Sequence, residues 1–328
     1  EGGGRARLEG RAPRAPAPHA TSSWHRPAYA LLGLASLDAS AARPRVLAAL
    51  GSPEAWTRRY AAIAAGLVLE AAGNRQARDE AVASAVAALV EDADTNVATE
   101  AVRAVGRLAR AEARPHALRA LRRNGEELLI EAVKILSPGP AAGDGTPPAA
   151  ADQIIAAACG DALARLTAMR RETSRDPRLA LVGCVMRTGS AGDAPRLAPL
   201  LADFDPVVAR AAASALARLA PPGDRQPAEA RPVPLARAPL PGEGDLARMG
   251  TARIVVSIRG RGDIVMRLRP DEAPLNAFRF LRLAEAGYYT GLTIHRIAPR
   301  FVVQGGSPHG NEYSGDGPFT RDETGRLA

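Results

Sequence analysis

Lysine is almost missing from these 328 residues: of 43 basic side chains only Lys134 is lysine, and the rest are arginine. Aromatic residues make up 4% of the chain. Their scarcity removes the interleaved basic and aromatic side chains on which bases stack. The net charge of +8 and the pI near 10.4 would otherwise invite a nucleic-acid partner. The basic residues are not clustered, however, and among residues 250–328 there are 11 arginines against 8 acids. No nucleic-acid partner is expected; the skew toward Arg, Ala, Gly and Pro reads as the codon bias of a GC-rich genome. Two cysteines are too few for a disulfide framework. Cys159 and Cys184 sit in apolar helical segments, as core thiols or as one disulfide. The histidines, His19, His25, His116, His295 and His309, lack metal-ligand spacing, so no metal is expected. No run of 18 apolar residues is present, so no membrane-spanning helix is expected. Location is left open.

What is present falls into unlike parts. From about Arg26 to Ala220 the chain is rich in Ala, Leu, Val and Arg, in apolar-periodic segments separated by Pro, Gly and Asp breaks, which predicts a helical array. Asp94, Val97, Ala101, Ala104, Val105, Arg107 and Leu108 align with Asp205, Val208, Ala212, Ala215, Leu216, Arg218 and Leu219 at a constant offset. Ser52 to Ala65 is a looser third copy. Asp94 and Asp205 suit helix N-caps, worth about 1 kcal/mol each. The pattern resembles HEAT-like repeats, which implies a solenoid with a protein partner on the repeats. A generic Ala-rich bundle is the alternative.

Low-complexity stretches punctuate this order. Residues 1–25 and the Pro-Gly stretch Ser137 to Ala151 are expected to be disordered. Residues 221–249 hold seven prolines, from Pro221 to Pro241, and are expected to form an extended, semi-rigid linker.

Residues 250–328 have strand periodicity. Ile254, Val256 and Ile258 alternate, Arg259 to Asp263 supplies a turn, and Ile264, Met266 and Leu268 alternate again. Pro274 suits a first helical turn, Ala277, Phe280, Leu281 and Ala284 recur at helical spacing, and Gly287 ends the helix. A second strand pair is expected from Leu292 to Ile297 and from Phe301 to Gln304, joined by Ala298, Pro299 and Arg300. On period alone, Ile294 and Arg296 share a face, as do Phe301 and Val303.

The stretch His295 to Gly306, HRIAPRFVVQGG, resembles the active-site signature of the cyclophilin family of peptidyl-prolyl cis/trans isomerases. Ala273-Pro274, GYYTG at 287–291 and the Gly-rich GNEYSGDGPF at 310–319, followed by Arg321, Asp322 and Glu323, fit the same family. The resemblance implies catalytic roles for Arg296, Phe301 and Gln304, with His295, Val302, Gly305 and Gly306 lining the proline pocket. Ile294, Val302 and Arg279 depart from the family's common residues, which bears on substrate preference more than on reaction class. The resemblance covers the first half of an eight-stranded barrel. The fold expected is therefore multidomain, an all-α HEAT-like solenoid followed by a truncated, mainly β cyclophilin-like barrel over residues 250–328. The chain starts without Met and the barrel stops early, so it is expected to be a fragment, inactive alone.

The chemistry that such residues suit needs no covalent bond and no cofactor. An X-Pro bond isomerises through a twisted amide over about 18–20 kcal/mol. An apolar slot for the ring and a cationic donor lower that barrier, the roles of Phe301 and Arg296, and Gln304 orients the guanidinium or the substrate backbone. The expected function is isomerisation of X-Pro bonds in protein clients, with the repeats holding a partner or client. The alternative is a scaffold whose barrel binds Pro-containing segments without turning them over.

Overall fold

The computed structural model describes residues 24–72, 79–137, 150–221, 223–226, 228–237, 239–298, 300–313, 315, 320 and 322–323. Described residues 24–235 with 311–315 form one compact unit, and 236–310 with 320–323 another.

The larger unit is helical: α1 (His25–Leu37), α2 (Ala39–Leu50), α3 (Ala55–Ala72), α4 (Glu80–Ala88), α5 (Thr95–Val105), α6 (Arg110–Ala120), α7 (Glu126–Leu136), α8 (Ala150–Ala168), α9 (Arg175–Thr188), α10 (Ala194–Leu197) and α11 (Pro206–Leu219). The odd-numbered helices pack in succession, α3 on α5, α5 on α7, α7 on α9 and α9 on α11, while α4, α6 and α8 pack against α5, α7 and α9. This is a two-layer stack with one core running through it. Small side chains dominate that core: Ala61, Ala62, Ala64 and Ala65 of α3 meet Ala98, Ala101 and Ala104 of α5, all essentially without solvent contact. Alanine has no side-chain entropy to lose and lets helix axes come close, so the stack is held by many small contacts.

Aspartates set where helices begin. Asp38, Asp79, Asp94 and Asp205 each accept a backbone N–H in the first turn of α2, α4, α5 and α11. Two of these caps belong to an Asp-x-Asp loop in which the first aspartate locks the second. The Asp92 carboxylate accepts the Asp94 N–H at 2.8 Å and both donors of Arg58, at 2.7 and 3.0 Å. In the matching loop Asp203 accepts the Asp205 N–H at 2.7 Å and Arg178 at 2.7 and 2.8 Å. Arg178 and Asp203 have no exposed side-chain surface, and the guanidinium lies 4.2 Å from the Phe204 ring centroid. An Arg from the odd-numbered helix before it, Arg58 of α3 or Arg178 of α9, thus stitches each loop into the stack.

Three expectations are corrected here. His25 opens α1, because Trp24 before it is stacked on Trp56, so order begins within the segment expected to be disordered; residues 1–23 and 138–149 lie outside the described residues. Ser137 accepts a hydrogen bond from Arg187, and α8 starts at Ala150 rather than after Ala151. The linker is neither wholly extended nor free. The Arg231 and Val233 amides donate to the carbonyls of Leu201 and Asp203, and α12 (Glu243–Thr251) forms once the prolines stop, with Asp245 accepting the Gly242 N–H. Of the two options left open for Cys159 and Cys184, the structure has free, buried thiols; contact with Cys184, and then burial, pushes the Cys159 thiol up.

The smaller unit contains α12, β1 (Arg253–Ile258), β2 (Gly262–Arg267), α13 (Pro274–Glu285), β3 (Ile294–Ala298) and β4 (Val302–Gly305). β1 and β2 pair antiparallel, with Ile254 opposite Met266 and Val256 opposite Ile264. One hairpin face, Ile254 with Leu268, packs with Ala277 and Leu281 of α13 and with Met249 of α12, which is fully buried. The other face leaves Val255 and Val265 exposed. Helix α13 has no side-chain cap of its own. Glu323 supplies one from far along the chain, accepting the Leu275 and Asn276 amides at 2.9 Å each and the Asn276 side chain at 2.8 Å. β3 and β4 form a second two-stranded sheet, and among the described residues no closed barrel is formed.

Asp203→Ala leaves Arg178 buried and unpaired and is expected to lower the stability of the helical unit by about 3–5 kcal/mol. Asp38→Ala removes one exposed cap and should lower it by about 1 kcal/mol; thermal and denaturant melts followed by far-UV circular dichroism measure both, and equal losses would contradict the role given to the buried pair. Glu323→Ala should speed hydrogen exchange at Leu275 and Asn276 above that at Phe280, since only the first turn of α13 loses its acceptor.

Candidate functional site

The β3–β4 hairpin carries most of the residues singled out in the sequence. Register decides which of them meet. Ala298 pairs with Val302, Ile297 with Val303 and Arg296 with Gln304, and then the register shifts so that Ile294 faces Gly305. Directly opposed residues in an antiparallel ladder share a face. Arg296, Ala298, Val302 and Gln304 therefore share one face, and Ile297 and Val303 share the other, where both are exposed. On the first face the Arg296 Nη1 donates to Gln304 Oε1 at 2.6 Å.

The register shift makes His295 an extra residue, a β-bulge of the kind that re-aims side chains beside functional sites. It corrects the strict alternation expected for the strand: exposure along Ile294–Ala298 does not alternate, and Ile294 and Arg296 are not two equivalent positions of one ladder. His295 itself is half-buried.

Gly305 and Gly306 are required by close approach. A Cβ on Gly305 would stand 2.7 Å from the Ile294 Cδ1 and 3.0 Å from the Thr293 carbonyl oxygen. Gly306 has φ +85°, and a Cβ there would press on the Tyr289 ring at 3.2 Å. Tyr289 in turn lies 5.2 Å from Phe280 of α13, centroid to centroid, and burial pushes its phenol up. The Gly pair thus lets the end of β4 lie against Tyr289.

Phe301 is not joined to this group. It stands in the turn before β4, its amide donating to the Ala298 carbonyl, and is 80% exposed. Strand pairing begins at Val302 instead, after a turn in which Arg300 takes φ +60°. The structure brings Arg296, Gln304 and Val302 together, with Gly305 and Gly306 at the strand end and His295 in the bulge, and it leaves the ring expected to grip proline in solvent. Among the described residues no group of three or more His, Cys, Asp or Glu could hold a metal ion. No described helix is long and apolar enough to cross a membrane.

Known proteins share this segment. Residues 253–326 match the family model described as cyclophilin type peptidyl-prolyl cis-trans isomerase/CLD. The chain is 46% identical over 61 residues to peptidyl-prolyl cis-trans isomerase B of Bacillus subtilis, covering 19% of this chain and 43% of that protein. It is 48% identical over 54 residues to a putative bifunctional phosphatase/peptidyl-prolyl cis-trans isomerase of Streptococcus pyogenes, covering 16% and 12%. Peptidyl-prolyl cis-trans isomerase-like 2 of Gibberella zeae is 35% identical over 79 residues, covering 20% and 14%. The chain therefore spans less than half the length of these curated relatives. The hairpin, its bulge and its Gly pair lie within a segment, residues 253–326, that is of the cyclophilin type.

Proposed function

We propose that this protein catalyses cis/trans isomerisation of X-Pro bonds in protein clients, with the β3–β4 hairpin as the catalytic element and the helical stack as a HEAT-like scaffold for a partner or client. The observation that carries the reading is the Arg296–Gln304 bond across the ladder, with Val302 on the same face. Rotation about the prolyl bond removes amide resonance and returns electron density to the nitrogen. A guanidinium held in place donates to that developing lone pair, and holding it beforehand avoids reorganisation at the moment of twisting. Gln304 does the holding: its carbonyl oxygen accepts from one nitrogen of the fork and fixes the plane of the guanidinium. Val302 and Phe301 supply apolar wall for the pyrrolidine ring, His295 flanks it, and Gly305 and Gly306 admit the substrate backbone. Bond rotation forms and breaks no covalent bond, so the proposal calls on no cofactor or metal.

A second reading, in which the segment binds Pro-containing chains without turning them over, is favoured by the 80% exposure of Phe301. Replacing Arg296 separates the two. Arg296 is exposed, and an exposed pair contributes little to stability, roughly 0–1 kcal/mol. In the intact protein, Arg296→Ala is expected to leave the melting temperature nearly unchanged while lowering catalysed isomerisation of a short proline peptide by about a hundredfold or more. Gln304→Ala should lower it less, and the double variant no further than Arg296→Ala alone, since the two side chains act as one unit. A wild-type protein that binds the peptide and leaves its isomerisation rate at the uncatalysed value would favour the binding module.

A further inference from the structure

Aromatic side chains are distributed unevenly in the helical unit. Residues 24–235 contain Trp24, Tyr29, Trp56, Tyr60 and Phe204, and the first four form one continuous ladder on α1 and α3. Trp24 and Trp56 stack with centroids 5.0 Å apart and planes within 7°, and His25 stacks on Trp24 at 3.8 Å. Tyr60 lies 5.6 Å from Trp24 and 5.0 Å from Tyr29, and its hydroxyl donates to that of Tyr29 at 3.0 Å. Burial, and then the bond to Tyr29, pushes the Tyr60 phenol up to about 12. None of these rings belongs to the buried core. Tyr29 is 55% exposed and the other three are half-buried. The ladder of large rings stands outside the alanine core, with Tyr29 at its exposed edge.

The same face continues along the odd-numbered helices. The Arg59 guanidinium lies 5.3 Å from the Trp56 ring centroid and reaches Glu100 of α5 at 3.5 Å. Glu100 accepts from Arg103, which donates onward to Glu127 and Glu131 of α7. A non-helical stretch of this chain is already seated there. Asn311 donates from its side chain to Asn96 of α5 at 3.2 Å, and burial pushes up the Tyr313 phenol beside Glu127. The Gly315 carbonyl accepts from Arg171 at 2.7 Å and Thr173 at 3.3 Å. One backbone carbonyl of this stretch, that of Gly315, is thus held by two side-chain donors of the helical unit.

We infer that the Trp24–Trp56–Tyr60–Tyr29 ladder is a second proline-recognition site, one that takes a polyproline II segment of a protein partner and is separate from the hairpin. Polyproline II chain has no internal hydrogen bonds, which leaves its carbonyls open to donors, and it returns every third side chain to one side at about 9 Å intervals. Stacked rings with the Tyr29 hydroxyl at their edge match both properties, and aromatic-lined grooves read such segments. The inference deepens the partner-binding half of the proposed function and does not depend on whether the hairpin turns proline over. Its physical consequence is local concentration, because a client held by one proline-rich stretch presents its other X-Pro bonds to the same molecule repeatedly.

Both tryptophans of the chain lie in the ladder, so intrinsic tryptophan emission of the full chain reports on this site alone. Titration with a peptide of Ala-Pro-Pro triplets, free of Trp and Tyr, should shift that emission saturably, and an Ala-Ser peptide of equal length should not. Arg296→Ala should leave the titration unchanged. Tyr29→Ala, at a position exposed enough to spare the core, should weaken binding at least about tenfold, and Tyr29→Phe should restore only the part that the ring contributes. Equal responses to the two peptides, no saturable response from the folded wild type, or loss of the response in Arg296→Ala would each overturn the inference.

Discussion

The functional reading depends on strand register: Arg296 opposite Gln304, with one residue too many between Arg296 and Ile294. A slip by one residue in a ladder sends every side chain to the other face. Here the bulge at His295 takes up the extra residue, so Arg296 stays opposite Gln304 while the strand end still meets Gly305. Gly305 tolerates Ile294 against it only because it has no Cβ, and Gly306 lets the chain pass Tyr289. The 2.6 Å contact between guanidinium and amide is the outcome of these backbone conditions.

The helical unit is governed by a different constraint. An alanine core draws helices close and leaves no room for rings, so the unit gains cohesion from its loops. Arg58 with Asp92 and Arg178 with Asp203 tie these loops to α3 and α9, and the latter pair does so without solvent. The same economy of volume explains where the aromatics went: Phe204 covers the buried Arg178 guanidinium, and the others gather outside the core.

Much of this was legible in the sequence. Helix α13 begins at Pro274 as its ring geometry requires, the β1–β2 hairpin follows its alternation, and Asp94 and Asp205 cap the helices that their repeat spacing marks. The residues that escaped are those whose partners lie far away in the chain. Arg58 pairs 34 residues on and Arg178 25 residues on, and Glu323 caps a helix some 47 residues back; no local pattern announces such pairs. The bulge escaped because period-two counting assumes one residue opposite one. Helix α12 escaped because the prolines before Gly242 dominated its surroundings. Of the residues the motif singled out, Arg296, Val302 and Gln304 lie on one ladder face and Gly305 and Gly306 at the strand end, while Phe301 stays in the turn because strand pairing starts one residue later.

The central claim is that a guanidinium held by a neighbouring amide speeds rotation about a prolyl bond. Two-dimensional exchange spectroscopy on a proline peptide, with catalytic amounts of the intact protein, tests it most directly. The account predicts exchange cross-peaks between cis and trans resonances that grow with protein concentration. Peptide resonances that shift on binding while the exchange rate stays at its uncatalysed value would contradict it.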